Sequence, residues 1–332
     1  MQLNEQAGFH PLQAAVLVEK YDIFLKAHGL PNYKSIRRLC ANDDRILTHL
    51  QWATRSDDTE QAVELVLNAH ADVNARTSAN DYTVLLQASR SSSSQFIETL
   101  IDLGADVNAR RRTSKTTPLK LAAVWNNYVA VSLLLRHKAD VNVQDTYGFT
   151  PLHFSVRNGR ENLFKLLLAN KVDVNIQDNN GYTPLHWCAI KGNENLCRLL
   201  LERNADVNAK DKEGCTPLHW CAIKGNENLC RLLLEHNADV NTEDDRCTPL
   251  HWCAREGNEN LCRLLLEHNV DVNTHGEDGY TPLHWSTRKC NENLCRLLLE
   301  HNADVNTHGD DGYTPLHWST TKGNEESSVD CY

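Results

Sequence analysis

Starting at Thr117, the phrase T-P-L-[HK] returns at Thr150, Thr183, Thr216, Thr248, Thr281 and Thr314, at steps of 33, 33, 33, 32, 33 and 33 residues. A second phrase, [AV]-D-V-N, begins at Ala71, Ala105, Ala139, Val172, Ala205, Ala238, Val270 and Ala303. The stretch from Gly181 to Asn208 is spelled again, almost letter for letter, from Gly214 to Asn241. Weaker copies read T-V-L-L from Thr83 and T-H-L-Q-W-A from Thr48. A fixed period of this length means that one small unit is stacked many times, each copy covering its neighbours.

Each unit reads as two short helices and a loop. Thr183 is placed to cap the first helix with its hydroxyl, and Pro184 follows where a missing N–H costs nothing. Leu185, Cys188 and Ala189 then share one apolar face, and Gly192 ends the helix. The second helix takes N-E-N-L-C-R-L-L-L-E-R, with Leu196, Leu199 and Leu200 at helical spacing. Asn204 closes it, and D-V-N-A-K-D-K-E-G is a turn-rich connection to the next cap. Neither helix is long enough to persist alone in water, so a unit needs its siblings.

T-P-L-H-x-A, then L-L-L, then A-D-V-N at this period resembles the ankyrin repeat, over roughly residues 48–323. The resemblance implies an all-α solenoid of stacked helix–turn–helix units with short β-hairpin-like loops: about eight complete units and a terminal half unit. Some places depart from the pattern. Lys120 replaces the His, the loops A-R-T-S-A-N-D-Y and A-R-R-R-T-S-K-T are longer, T-E-D-D-R-C is shorter, and Cys290 stands where Gly192, Gly225 and Gly257 do. Residues 1–47 read as a degenerate N-terminal capping unit and 324–332 as a disordered tail. After the last first helix no second helix follows, so either the tail frays or the chain is a piece of a longer one.

Composition narrows the function. A net charge of -10 opposes a broad nucleic-acid surface, and Arg110-Arg111-Arg112 is too short a basic run to reverse that. No apolar stretch is long enough to span a bilayer, and the N-terminus is no secretory signal, so membrane insertion is not expected and the cytoplasm, or the nucleus, is. Cys188, Cys221 and Cys253 share one repeat position and Cys197, Cys230, Cys262 and Cys295 another, both on apolar faces. Reduced core thiols are therefore expected rather than bridges. The H-x-C pairs, such as His186 with Cys188, point to different sides of a helix, which does not suit a metal. His153, His186, His219, His251, His284 and His317 are instead placed to bond the capping Thr and nearby loop backbone. Neither metal nor cofactor is expected. Nearly every potential catalytic group exists in several equivalent copies, and no phosphate-loop, dinucleotide, nucleophile-elbow or zinc-protease motif occurs, so the chain reads as no enzyme.

The expected activity is a non-catalytic scaffold for a protein partner, the chain itself being a monomer. The resemblance implies that the concave side and the loop tips meet that partner. Phe154, Trp187, Trp220, Trp252, Trp285 and Trp318 occupy one repeat position, far around the first helix from its core face. Beside them lie Ile190 and Lys191, Ile223 and Lys224, Arg255 and Glu256, and Arg288 and Lys289. A row of tryptophans suits a binding surface, but it suits packing between adjacent first helices equally well. The tips are Tyr147, Asn180, Lys212, Asp245, Asp278 and Asp311, and the acids among Glu243, Asp244, Asp245, Glu277, Asp278, Asp310 and Asp311 read as solvated charges. The resemblance further implies Asn175, Asn208, Asn241, Asn273 and Asn306 as substrates for asparaginyl hydroxylation, beside their plain role of satisfying loop backbone. Two alternatives stay open: the substrate-recognition arm of a larger complex such as a ubiquitin ligase, or the repeat fragment of a multidomain protein.

Overall fold

The computed structural model describes residues 72–76, 81–91, 93–244 and 247–322. The opening unit expected over residues 1–47, the weak copy from Thr48, the tail from 324 and the tip residue Asp245 lie outside them. Among the described residues there are fifteen α-helices and no strand. They come in pairs: α1 Val84–Ser91 and α2 Ser94–Asp102; α3 Pro118–Trp125 and α4 Tyr128–Arg136; α5 Pro151–Arg157 and α6 Glu161–Leu168; α7 Pro184–Lys191 and α8 Glu194–Leu201. The series continues with α9 Pro217–Lys224 and α10 Glu227–Glu235, α11 Pro249–Glu256 and α12 Glu259–Leu266, α13 Pro282–Arg288 and α14 Glu292–Glu300, and ends on α15 Pro315–Lys322. The described residues fall into two compact units, one holding those up to 146 together with 165–171, the other those of 147–164 and from 172 to 322.

Sequence sets both ends of the helices. Thr183 is extended at φ -82° and its Oγ1 accepts the His186 N–H, while Pro184 opens the helix. Gly192 closes it in the left-handed region at φ +69°. Asn193 then caps α8 by accepting the Leu196 N–H at 3.2 Å. Asn204, Asn237, Asn269 and Asn302 follow the second helices at positive φ, a conformation that asparagine tolerates. Cys290 takes the same conformation at φ 53° where three sister units use glycine.

Packing supplies what eight-residue helices lack. In the second unit α5, α7, α9, α11, α13 and α15 lie side by side, each first helix against the next, and α8, α10, α12 and α14 form a second row. Leu185, Cys188, Ala189, Leu196, Cys197 and Leu200 are buried between them. Each fully buried leucine contributes about 2 kcal/mol. Burial also pushes the thiols up, Cys197 to about 12, so they stay protonated and inert. In the first unit Lys120 occupies the histidine position and is buried, where the carboxylate of Asp145 pairs with its ammonium.

Two polar ladders hold neighbouring units in register. The His186 Nδ1 lies 3.1 Å from the Thr183 nitrogen and 2.8 Å from Thr183 Oγ1, and its Nε2 lies 3.1 Å from the Cys215 carbonyl one unit on. A carbonyl only accepts, so Nε2 carries the proton and Nδ1 accepts the Thr183 N–H. His153, His219, His251 and His284 repeat this, reaching the carbonyls of Tyr182, Cys247, Tyr280 and Tyr313. The second ladder uses the D-V-N asparagines. Asn208 Oδ1 accepts the Asp239 N–H at 2.9 Å, and its amide donates to the Asn237 carbonyl at 3.4 Å.

The loops stack as well. Asp178 and Asp211 each close a tight turn, donating their N–H to the Tyr182 and Cys215 carbonyls at 2.9 Å. Neighbouring turns join where the Lys212 N–H meets the Asn180 carbonyl at 3.0 Å. Gly181 sits at this junction with φ +84°, and a Cβ there would lie 2.7 Å from the Lys212 nitrogen. G181A therefore combines backbone strain with a clash and should cost about 2 kcal/mol. A urea midpoint equal to that of the parent chain would refute this.

Candidate interaction surface

The last turn of each first helix and the loop before it carry the residues expected to meet a partner. Lys191, Lys224, Glu256, Arg288 and Lys289 are exposed, and Ile190, Ile223 and Arg255 are half-buried. The tips Tyr147, Asn180, Lys212, Asp278 and Asp311 are exposed, Tyr147 to 69%. Between tips and helix ends lies the aromatic row. Phe154, Trp187, Trp220, Trp252 and Trp318 are half-buried, whereas Trp285 retains only 7% exposure and cannot present an edge to a partner.

Ring contacts explain the burial. Phe149 lies 5.5 Å from Phe154 in its own unit and 5.7 Å from Trp187 in the next. Tyr182 bridges Trp187 and Trp220 at 5.6 Å each, and Tyr280 bridges Trp285 at 6.1 Å and Trp318 at 4.3 Å. At Phe149, Tyr182 and Tyr280 an aromatic residue directly before the capping Thr thus fastens two rings of successive units, edge to face for the two tyrosines.

The indole nitrogens bring in three carboxylates, of which Asp244 reads from the sequence as a solvated acid and Asp178 and Asp211 are not singled out there. Trp187 donates to Asp178 at 3.1 Å, Trp220 to Asp211 at 2.9 Å and Trp252 to Asp244 at 2.9 Å. Asp178 and Asp211 are buried, at 5% and 7% exposure, and Asp244 also accepts from the Cys215 thiol at 3.2 Å. Asp244 is therefore structural, not a free tip charge. Likewise Asp311, though exposed, accepts the hydroxyl of Tyr280. The available signal was the fixed spacing from Asp to Trp, nine residues in two units and eight in the short one.

Trp285 breaks the rule. Gly276 stands nine residues before it, where a sister unit has Asp, and the buried Nε1 of Trp285 has no hydrogen-bond partner among the described residues. Arginines gather around it instead. The Arg255 guanidinium lies 5.1 Å from the Trp252 ring and 5.0 Å from the Trp285 ring, and that of Arg288 lies 5.4 Å from Trp285 and 4.8 Å from Trp318.

The D-V-N asparagines are placed by the second ladder. Asn175, Asn208, Asn241 and Asn273 each accept the N–H of the Asp one unit on, at 2.8 to 2.9 Å. Asn306 is exposed, and its side-chain amide has no such bond among the described residues.

The family model for ankyrin repeats, three copies to a match, matches residues 50–145, 85–178, 119–211, 152–244, 208–276 and 250–328. The chain belongs to the ankyrin-repeat family. No curated protein matches it. The ankyrin array explains why the histidines look like ligands and are not placed as such: each is held by a threonine behind and a carbonyl ahead. Among the described residues no three His, Cys, Asp or Glu side chains are grouped to hold a metal, and no helix is long and apolar enough to cross a membrane.

Proposed function

We propose that this ankyrin array is a non-catalytic scaffold, acting in the cytoplasm, whose first-helix ends and loop tips hold a protein partner. Ankyrin repeats are in general protein-interaction modules. One observation carries the assignment of the face. The buried leucine of the first helix recurs as Leu152, Leu185, Leu218, Leu250 and Leu283, whereas the end of that helix reads Arg157-Asn158, Ile190-Lys191, Ile223-Lys224, Arg255-Glu256 and Arg288-Lys289, the same only in the two near-verbatim units. Packing demands the same answer in every unit, and recognition does not. The tryptophan row supports this face from beneath, as bracing that sets the spacing of the variable residues.

Because the tryptophans brace the stack, the test removes residues at the ends of the first helices instead. A variant carrying I190A, K191A, I223A and K224A should keep its far-ultraviolet circular dichroism and lose at least tenfold in captured partner. Equal capture of the same proteins by the folded variant and the parent would end the proposal.

A further inference from the structure

The patch around Trp285 differs from its sisters in two ways that point to one kind of ligand. In the units of Trp187, Trp220 and Trp252 the fold supplies its own carboxylate to the indole. At Trp285 it supplies glycine, and the donor is left unsatisfied in a buried place. At the same place three indoles and two guanidinia alternate: Trp252, Arg255, Trp285, Arg288, Trp318. We propose that Arg255 and Arg288, racked between these tryptophans, dock an acidic polypeptide segment of a partner protein. This rests on the scaffold reading above and names the chemistry of the partner.

The geometry favours carboxylates over other ligands. A guanidinium stacked through its faces keeps its N–H edge for bidentate acceptors, and stacking fixes its direction in advance. Arg288 has no ion-pair partner among the described residues. Arg255 meets only Glu277 at 4.0 Å, with both side chains about one third exposed, a contact that an incoming acid can displace. Lys289 is exposed beside Arg288, and Glu256 is the exposed acid beside Arg255. The Trp285 N–H is covered by its neighbours, so it marks where the fold leaves a negative charge out and is not itself the atom a ligand must touch. Both guanidinia reach one ring, at 5.0 and 5.4 Å, so they are at most about 10 Å apart. In a polyproline II segment residues i and i+3 share a side about 9 Å apart, so an acid at every third position meets both arginines. A nucleic-acid strand is disfavoured by the net charge of -10 and by the acidic tips Asp278 and Asp311.

The test uses the whole chain and fluorescence polarisation with labelled peptides of Glu-Pro-Pro repeats, Gln-Pro-Pro repeats as the neutral counterpart, and a thymidine oligonucleotide. The Glu peptide should bind at least tenfold tighter than the Gln peptide. R255Q with R288Q should abolish that preference at unchanged helicity, while K191Q with K224Q retains it. Equal binding of the two peptides, a preference that survives R255Q/R288Q, or tighter binding of the oligonucleotide would each overturn the proposal. If the Glu peptide fails while the Ile190–Lys224 variant still loses its captured partners, the scaffold reading stands and only this inference falls.

Discussion

Between pH 6.5 and pH 4 the array is expected to lose about 6 kcal/mol of stability through two histidines. Burial holds His219 and His251 down to about 4, against Asp244, Asp211 and the carbonyl bonds, which favour the charged form. The hydrogen bonds give a further reason: Nδ1 accepts the N–H of Thr216 or Thr248, and a proton on Nδ1 would face that donor. Above pH 6.5 both histidines are neutral in either state, and their contribution is complete. As pH falls below 6.5 the unfolded chain takes up protons that the folded chain refuses, so stability drops until about pH 4, where the folded ring also titrates. Each histidine accounts for about 3 kcal/mol. His186 and His284, also lowered by burial, act in the same direction. Urea midpoints measured across this range should slope steeply, and H219Q should start lower but slope less. A flat profile in the parent chain would contradict the mechanism.

D211A should cost about 4 kcal/mol, more than a surface acid ever does. Its Oδ1 accepts the N–H groups of Glu213 and Cys215 at 3.0 and 2.9 Å, and its Oδ2 accepts Trp220 Nε1. Removing the carboxylate strands three donors, two of them in a turn on which the next unit rests. D211N keeps one acceptor and should cost less. The opposite experiment exists in the same chain: G276D gives Trp285 the acceptor that its sisters have. Gly276 lies at φ -96° and ψ -149°, outside the left-handed region that favours glycine, so satisfying the indole N–H should raise stability by about 1 kcal/mol. Denaturation curves should order as G276D above parent, parent above D211N, and D211N above D211A. An unaltered midpoint for D211A would show the bonds to be incidental.

Most of the fold was legible because its determinants are local. Thr183 and Pro184 announce a helix start, and Gly192 a stop, within one turn of where each acts. The histidines could be read as structural because their period matched the cap. The aspartates could not. Asp244 sits among Glu243 and Asp245 in a polar loop, and only the three-dimensional return of the chain places its carboxylate under Trp252. The tryptophan row stayed ambiguous for the same reason: its face on the helix is given by the 100° turn, but what lies against it comes from the preceding and following units. Trp285 shows the limit best, since a glycine nine residues away decides what its indole nitrogen can bond.

Because the histidine and asparagine ladders run from one unit to the same backbone position of the next, they make no contact that is unique to a single unit. Cutting out residues 183–215 would join Tyr182 to Thr216, leaving His153 its carbonyl and bringing the amide of Asn175 to the chain where Asn208 had worked. Whole periods can thus be gained or lost by the gene without inventing a single new bond, and the near-verbatim copies at Gly181 and Gly214 have the form that such growth would leave.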